Sequence, residues 1–168
     1  MVQKTTKRNK ILKIYFEHPH RSFTVREISK LTKIPTSTVQ RYLVHLKQEK
    51  IIDNKNMANL TTYFKFLKSS AIIDKIYRSG LLEYLDEVLL PSTIILFGGV
   101  RKGEYVKESD IDLFIASTKR KKLDVTRFER KIGHNLDLFI EKDICDLPPR
   151  LLNNVVNGIK LQGYFKVK

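Results

Sequence analysis

Asp110 and Asp112 sit two apart in Ser109-Asp110-Ile111-Asp112-Leu113-Phe114-Ile115, where polar and apolar residues alternate. That alternation predicts a strand, with both carboxylates on one face and Ile111 and Leu113 on the other, toward the core. Two carboxylates held this close repel each other unless a cation neutralises them. The chemistry predicted is a site for a hard divalent metal such as Mg2+, which takes oxygen ligands and keeps positions for substrate phosphates. Leu136-Asp137-Leu138-Phe139-Ile140 reads as another strand, apolar except for its one aspartate. A carboxylate in such a strand is costly unless it meets a cation or donors. On a strand beside 110–115, Asp137 completes a three-carboxylate cluster.

The elements that must hold these acids are legible nearby. Thr93-Ile94-Ile95-Leu96-Phe97 is an apolar run of buried-strand length that stops at Gly98-Gly99. Val100 to Gly103 predicts a short helical turn. Residues 122–132 predict an amphipathic helix with Leu123, Phe128 and Ile132 inward, and Gly133-His134-Asn135 turns the chain into the strand of Asp137. Upstream, residues 68–90 carry Ile72, Ile73 and Ile76, a break at Ser79-Gly80, then Leu81, Leu82, Leu85, Val88 and Leu89 before Pro91. This predicts one or two connecting helices. Their apolar face suits either packing onto the chain's own domains or a homodimer.

Phe97-Gly98-Gly99, Lys102-Gly103 and Ser109-Asp110-Ile111-Asp112-Leu113 together resemble the signature of the DNA polymerase β-like nucleotidyltransferases in their minimal form. That signature is a Gly-Ser pair, ten residues, then Asp-x-Asp, and residues 100 to 109 give the spacing here. Asn157 to Gly163 resembles the family's closing glycine-hydrophobic element, so the likeness covers roughly residues 91–165. The resemblance implies that Asp110, Asp112 and Asp137 hold two Mg2+ ions and form the catalytic centre. It implies that Gly98, Gly99, Lys102 and Ser109 bind a nucleoside triphosphate, with ATP expected, and that a nucleoside monophosphate passes to a protein or nucleic-acid acceptor. Minimal members of the family often partner a helical toxin-like protein, which supplies one candidate acceptor. The family's serine is Gly99 here, which keeps the backbone N–H and loses a hydroxyl contact.

The first third of the chain has a different character. Residues 1–68 hold 15 Lys+Arg against 4 Asp+Glu, a net +11, and residues 69–168 hold 17 against 14, a net +3. Such asymmetry points to a polyanionic partner or a lysine-rich solvated face. Ile11, Leu12, Ile14, Tyr15 and Phe16 have helical spacing within residues 5–18. Thr24-Val25-Arg26-Glu27 has the pattern of a capping box and predicts a helix with Val25, Ile28 and Leu31 inward, closed by Lys33-Ile34-Pro35. Ser37 to Gln40 has the same pattern and opens a helix with Val39, Leu43 and Leu46 inward. Ile51-Ile52-Asp53 and Thr61 to Phe66 read as strands around a polar turn, and so as a hairpin. Residues 7–67 therefore resemble the winged helix-turn-helix domains of prokaryotic, especially archaeal, transcription regulators. That resemblance implies DNA binding, with Ser37, Thr38, Gln40 and Arg41 toward bases and Arg21, Arg26 and Lys55 toward phosphates.

Composition narrows the rest. The single cysteine, Cys145, excludes a disulfide framework and a cysteine-based zinc site, and is expected to be a small core residue. His18, His20, His45 and His134 have no metal-ligand spacing, although His134 lies close enough to Asp137 to touch the site. The Lys119–Lys122 run reads as a solvated loop. No apolar run has membrane-spanning length, and MVQKTTKRNK is followed by no signal-like apolar region, so a cytoplasmic protein is expected. The expected fold is α+β: residues 1–68 a winged helix, 69–90 a helical linker, and 91–168 a small mixed sheet with packed helices. Two functions fit, an Mg2+-dependent nucleotidyltransferase with a DNA-binding domain, and a DNA-binding regulator whose second domain binds nucleotide without transferring it.

Overall fold

The computed structural model describes residues 6–164. The start of the N-terminal MVQKTTKRNK stretch (1–5) and the end of the second domain (165–168) lie outside the described residues. The chain divides into two compact units, Met1–Phe66 and Leu67–Lys168.

In the first unit, α1 (Lys7–Glu17), α2 (Val25–Thr32) and α3 (Thr36–Gln48) bury Ile11, Leu12, Tyr15, Phe16, Ile28, Val39, Leu43 and Leu46. Tyr15 meets Phe23 edge-on at 5.7 Å between ring centroids. The capping box at α2 is present: Thr24 Oγ1 accepts from the Glu27 N–H at 3.2 Å, and the Glu27 carboxylate accepts from the Thr24 N–H at 2.8 Å. The Thr24 N–H first, and then the Thr24 hydroxyl, which also donates to the Glu27 carboxylate at 2.9 Å, hold that carboxyl below its ordinary range. Lys33, left-handed at φ 57°, closes α2, and Pro35 opens α3.

Several expectations for this unit are corrected. Leu31 is 61% exposed rather than inward. No second capping box forms, because α3 already begins at Thr36 and no side chain caps it. The hairpin shrinks to a single bridge between Ile52 and Ala58, with Asp53 and Met57 closing the turn. Thr61–Phe66 is not a strand. Thr61 Oγ1 accepts from the Phe64 N–H at 3.1 Å and caps α4 (Thr62–Ser79). Phe64, Lys68, Ile72 and Ile76 are buried along this helix. Their spacing of four outweighs the strand preference of the aromatic and threonine run.

The second unit is a four-stranded mixed sheet with packed helices. Its strands β1 (Thr93–Leu96), β2 (Ile111–Ala116), β3 (Leu136–Glu141) and β4 (Ile159–Gly163) lie in the order β3-β2-β1-β4. Only β2 and β3 run parallel. A parallel pair needs a crossover, and here it is α7 (Thr126–Ile132). The helix expected over 122–132 starts only at Thr126, because the preceding residues make other bonds: Asp124 N–H donates to Tyr84 Oη, and Asp124 Oδ1 accepts from the Thr126 N–H. One sheet face packs Ile95, Phe97, Phe114 and Ala116 against Ile144 of a short 3-10 turn (Ile144–Asp146), Leu147 just after it, and Val155 of α8 (Pro149–Val156).

Residues 69–90 fold with this unit instead of forming a separate linker. Ser79-Gly80 does divide them, into the end of α4 and α5 (Leu81–Leu89). Tyr77 Oη donates to the Leu161 carbonyl at 2.7 Å, Lys75 Nζ to Ile132 O, and Ser117 Oγ to Leu89 O. Cys145 is exposed, because its 3-10 turn presents Ile144 to the core instead. Among the described residues, no helix is long and apolar enough to cross a membrane.

Gly158, between α8 and β4, marks a close backbone approach in this packing. A Cβ there would lie 2.4 Å from Ile95 Cγ2, 2.7 Å from Leu96 O and 2.8 Å from Val155 O. Two of these atoms are backbone oxygens and cannot swing aside. Gly158→Ala is expected to destabilise the protein by roughly 1–3 kcal/mol, as overpacking does. Urea unfolding measures this, and a variant as stable as the wild type contradicts the close approach.

Candidate active site

The parallel register of β2 and β3 sets Asp112 opposite Asp137. Adjacent strands lie about 4.8 Å apart, and directly paired residues point to the same face. Period two also puts Asp112 on the face of Phe114 and Ala116, and Asp137 on that of Phe139, so both acids share the sheet face that α8 covers. Asp110 precedes β2, which begins at Ile111, so it leaves the strand expected for it and stands exposed in the loop before it. Asn135 Nδ2 donates to Asp110 Oδ1 at 3.1 Å, and Ile111 N–H donates to Asn135 O at 2.9 Å.

The turn after β1 fits itself to Asp112. Phe97 N–H donates to the Asp112 carbonyl at 3.1 Å. The chain then enters α6 (Gly98–Lys102) with Gly98 left-handed at φ 69°. A Cβ on Gly98 would fall 1.9 Å from Asp112 Oδ2. Gly98 therefore has two reasons to be glycine, its φ and the carboxylate lying against it. The Gly99 N–H donates to the Asp112 carboxylate. Gly99 itself is exposed, and a Cβ there would meet nothing closer than Tyr105 N at 4.0 Å. Lys102 is exposed in the last turn of α6.

Asp112 is half-buried. Its carboxyl is pushed above the ordinary range, first by burial and then by the charges of Asp137 and Asp110; its own backbone N–H and that of Gly99 only partly offset this. The three acids thus fit a divalent cation in charge and in donor type. They are not closed into a cage: among the described residues, no group of three or more His, Cys, Asp or Glu side chains is gathered so as to hold a metal ion.

A buried network fixes the loop that carries Asp110. Lys68, 1% exposed on α4, donates through Nζ to the Tyr105 carbonyl and lies 4.5 Å over the Tyr105 ring. Tyr105 Oη donates back to Lys68 O at 3.2 Å, and its ring meets His134 edge-on. His134 Nδ1 is 2.8 Å from Ser109 O. A carbonyl only accepts, so the imidazole carries a proton on Nδ1. Ser109 Oγ accepts from the Val106 N–H at 2.9 Å. Ser109 thus braces the loop with both oxygens, while His134 touches the site through it. Lys68, Tyr105 and Asn135 are contributors that sequence reasoning missed. Lys68 and Tyr105 meet across 37 positions, and no local pattern signals such a pair.

Residues 78–159 match the family model of the nucleotidyltransferase domain. The match runs from the last turn of α4 to the first residue of β4 and takes in all three aspartates. It supports a nucleotidyltransferase domain in the second unit, and with it nucleotidyl transfer in general. Residues 1–77 lie outside it. No curated protein and no solved structure matches the chain.

The first unit holds the other candidate residues. Ser37, Gln40 and Arg41 are exposed and Thr38 is half-buried on the first turns of α3. Arg26 is exposed on α2, and Lys55 in the turn between Ile52 and Ala58. Arg21 is already engaged: it pairs with Glu27 at 2.8 Å and its guanidinium lies 4.7 Å over the Phe23 ring.

The Asp112 shift has a checkable sign. Ionising Asp112 costs more in the folded chain than in the unfolded one. The burden is absent below the ordinary carboxylate value of about 4. It grows as pH rises through the raised folded value and is full above it. Without metal, Asp112→Asn is expected to raise Tm by a few degrees at pH 7 and to lose that advantage as pH falls toward 4. An advantage that persists unchanged in acid contradicts the electrostatic cause.

Proposed function

We propose that the second unit transfers a nucleoside monophosphate, with ATP the expected donor, to a hydroxyl on a protein or nucleic-acid acceptor, and that the first unit binds DNA. The observation that carries the first part is the in-register pair Asp112–Asp137, flanked by Asp110 and closed from below by Gly98, within the nucleotidyltransferase match.

Asp110, Asp112 and Asp137 would hold Mg2+, which supplies the positive charge that triphosphate and carboxylates both need. The chain's own groups do the rest. Lys102 at the end of α6 offers a cation to the phosphates. The Gly99 N–H steadies Asp112, and Asn135 steadies Asp110. The acceptor oxygen forms a bond to the α-phosphorus. The bond from that phosphorus to the bridging oxygen of the β-phosphate breaks, and pyrophosphate leaves with the electron pair. Asp137, exposed at the edge of the pair, takes the hydroxyl proton.

One observation favours a nucleotide-binding regulator as second reading: the Gly99 N–H is spent on Asp112 and position 99 offers no hydroxyl. Calorimetry of ATP with Mg2+ tests the nucleotide site that both readings share, and transfer of label from α-labelled ATP to an acceptor separates them. Binding that needs both Mg2+ and the aspartates is expected, with loss in an Asp110→Asn/Asp112→Asn variant. Because a side chain fits at position 99, Gly99→Ser is expected to tighten binding by about tenfold or more, the worth of one hydrogen bond to a charged group being about 1.5–3 kcal/mol. No ATP binding by the wild type defeats both readings of the second unit.

For the first unit, α3 presents Ser37, Gln40 and Arg41 outward beside a short turn from α2, the arrangement that suits a major groove. Binding to duplex DNA is expected to weaken steeply with salt, and Arg41→Ala to weaken it while leaving ATP binding intact. Affinity that ignores salt counts against DNA as the partner.

A further inference from the structure

The end of the sheet away from the aspartates carries a second set of features. There the register lines up Thr93 of β1, Ala116 of β2, Glu141 of β3 and Gly163 of β4. A cleft of about 230 Å3 opens at this end, with Ala116 and Ile144 in its lining and Tyr164 and Lys142 among its other walls. Ala116 lies four residues beyond Asp112 on β2, roughly 13 Å at about 3.3 Å per residue. We infer that this cleft is a contact for single-stranded nucleic acid. One base enters it against the Tyr164 ring, and the strand's phosphates follow the lysines around it. The inference does not depend on the transfer reading above.

The cleft itself suits a ring. Ala116 and Ile144 are buried and belong to the apolar packing of the covered sheet face. Thr93, also in the lining, is buried, and its Oγ1 donates to the Gln162 carbonyl at 3.0 Å. Tyr164 is 64% exposed, and its N–H donates to the carbonyl of Ser92, another lining residue, at 2.9 Å. An exposed aromatic ring beside an apolar floor is a stacking platform, and every base has a face for it. The volume falls below the roughly 300–1,000 Å3 of sites that enclose a drug-sized ligand. The cleft therefore takes one ring, and the rest of the ligand lies outside.

What lies outside is basic. The loop after β2 carries Lys119, Arg120, Lys121 and Lys122, and Lys142 follows β3 directly. Arg120 ties that loop to the end of β3: it donates to the Ile140 carbonyl and pairs with Glu141 at 2.7 Å. Glu141 is thereby neutralised. Asp143, in the cleft lining, and Asp146 have their carboxylates turned to the N–H groups of Cys145 and Asp143 in the cap of the 3-10 turn. Lys119, Lys121, Lys122 and Lys142 are exposed, and their ammonium groups make no hydrogen bond or ion pair among the described residues. Lysines bind phosphate as point charges and hold a backbone without reading its sequence. Cations beside an aromatic platform are the combination that holds single strands. A duplex keeps its bases stacked on one another and offers no free ring to the cleft.

The probe is a single-stranded oligodeoxynucleotide of about ten residues, bearing 5-iodouracil, which cross-links on irradiation to an aromatic ring stacked on it. With the full-length chain, a link at Tyr164 is expected. Links confined to residues 1–66, or equal linkage of Tyr164 by a duplex bearing the same bases, overturn the assignment. Titrations with oligothymidylate use the Arg41→Ala chain, in which the first unit's own contact with DNA is weakened. Tyr164→Ala is expected to weaken binding about tenfold, and Tyr164→Phe, which keeps the ring, to leave it unchanged. Lys121→Ala/Lys142→Ala is expected to flatten the dependence of log affinity on log salt by roughly 0.7 per lysine removed. Unchanged affinity in Tyr164→Ala, or an unchanged salt slope, overturns the proposal. Thymidine 5′-monophosphate binding as tightly as the oligothymidylate overturns the strand in favour of a free nucleotide.

Discussion

Asp112 is held half-buried beside Asp137, with glycine against one oxygen and a like charge across the strand. Much of the second unit follows from that arrangement. The parallel β2–β3 register demands a crossover, which α7 supplies. The tight turn at Gly98 brings the Gly99 N–H to the carboxylate and starts α6 beside it. The apolar packing of Ile95, Phe97 and Phe114 keeps the strand ends fixed, so the repulsion between the acids cannot relax by fraying. A fold that keeps an unfavourable pair rigid gives up stability where a cation or substrate can recover it.

The loop bearing Asp110 solves a different problem. It is exposed, yet Asp110 must stay beside a pair set by a sheet. The solution is a relay of buried contacts: Lys68 to Tyr105, Tyr105 to His134, His134 to Ser109, with Asn135 reaching Asp110 directly. The lysine's charge is spread onto a carbonyl and an aromatic face, which makes its burial tolerable. Through Lys68, α4 is thus part of the site's support.

The sequence disclosed the acids and most of their strands because period two, glycine pairs and apolar runs are local signals. Asp112 and Asp137 on their strands were legible for that reason, as were the Ser79-Gly80 break and the Thr24–Glu27 cap, whereas Asp110 stands in the loop before β2. It misled where two local signals competed. Thr61 to Phe66 has strand-like composition, but burial at every fourth position continues far beyond it and wins. Leu31 fits a helical stripe, yet the stripe's edge is in solvent. Lys68, Tyr105 and Asn135 escaped notice because their importance comes only from long-range proximity.

Position 99 carries a last consequence. A side chain added there would touch nothing nearer than 4.0 Å, so packing does not select glycine over serine. The neighbouring Gly98 is the opposite, locked by both its φ and Asp112. In genetic terms, a GGU glycine codon is one base from an AGU serine codon. The exchange therefore runs in either direction without repacking the fold. Position 99 is thus open to a single-base exchange that the fold accommodates, whereas position 98 is closed to any side chain by its φ and by Asp112.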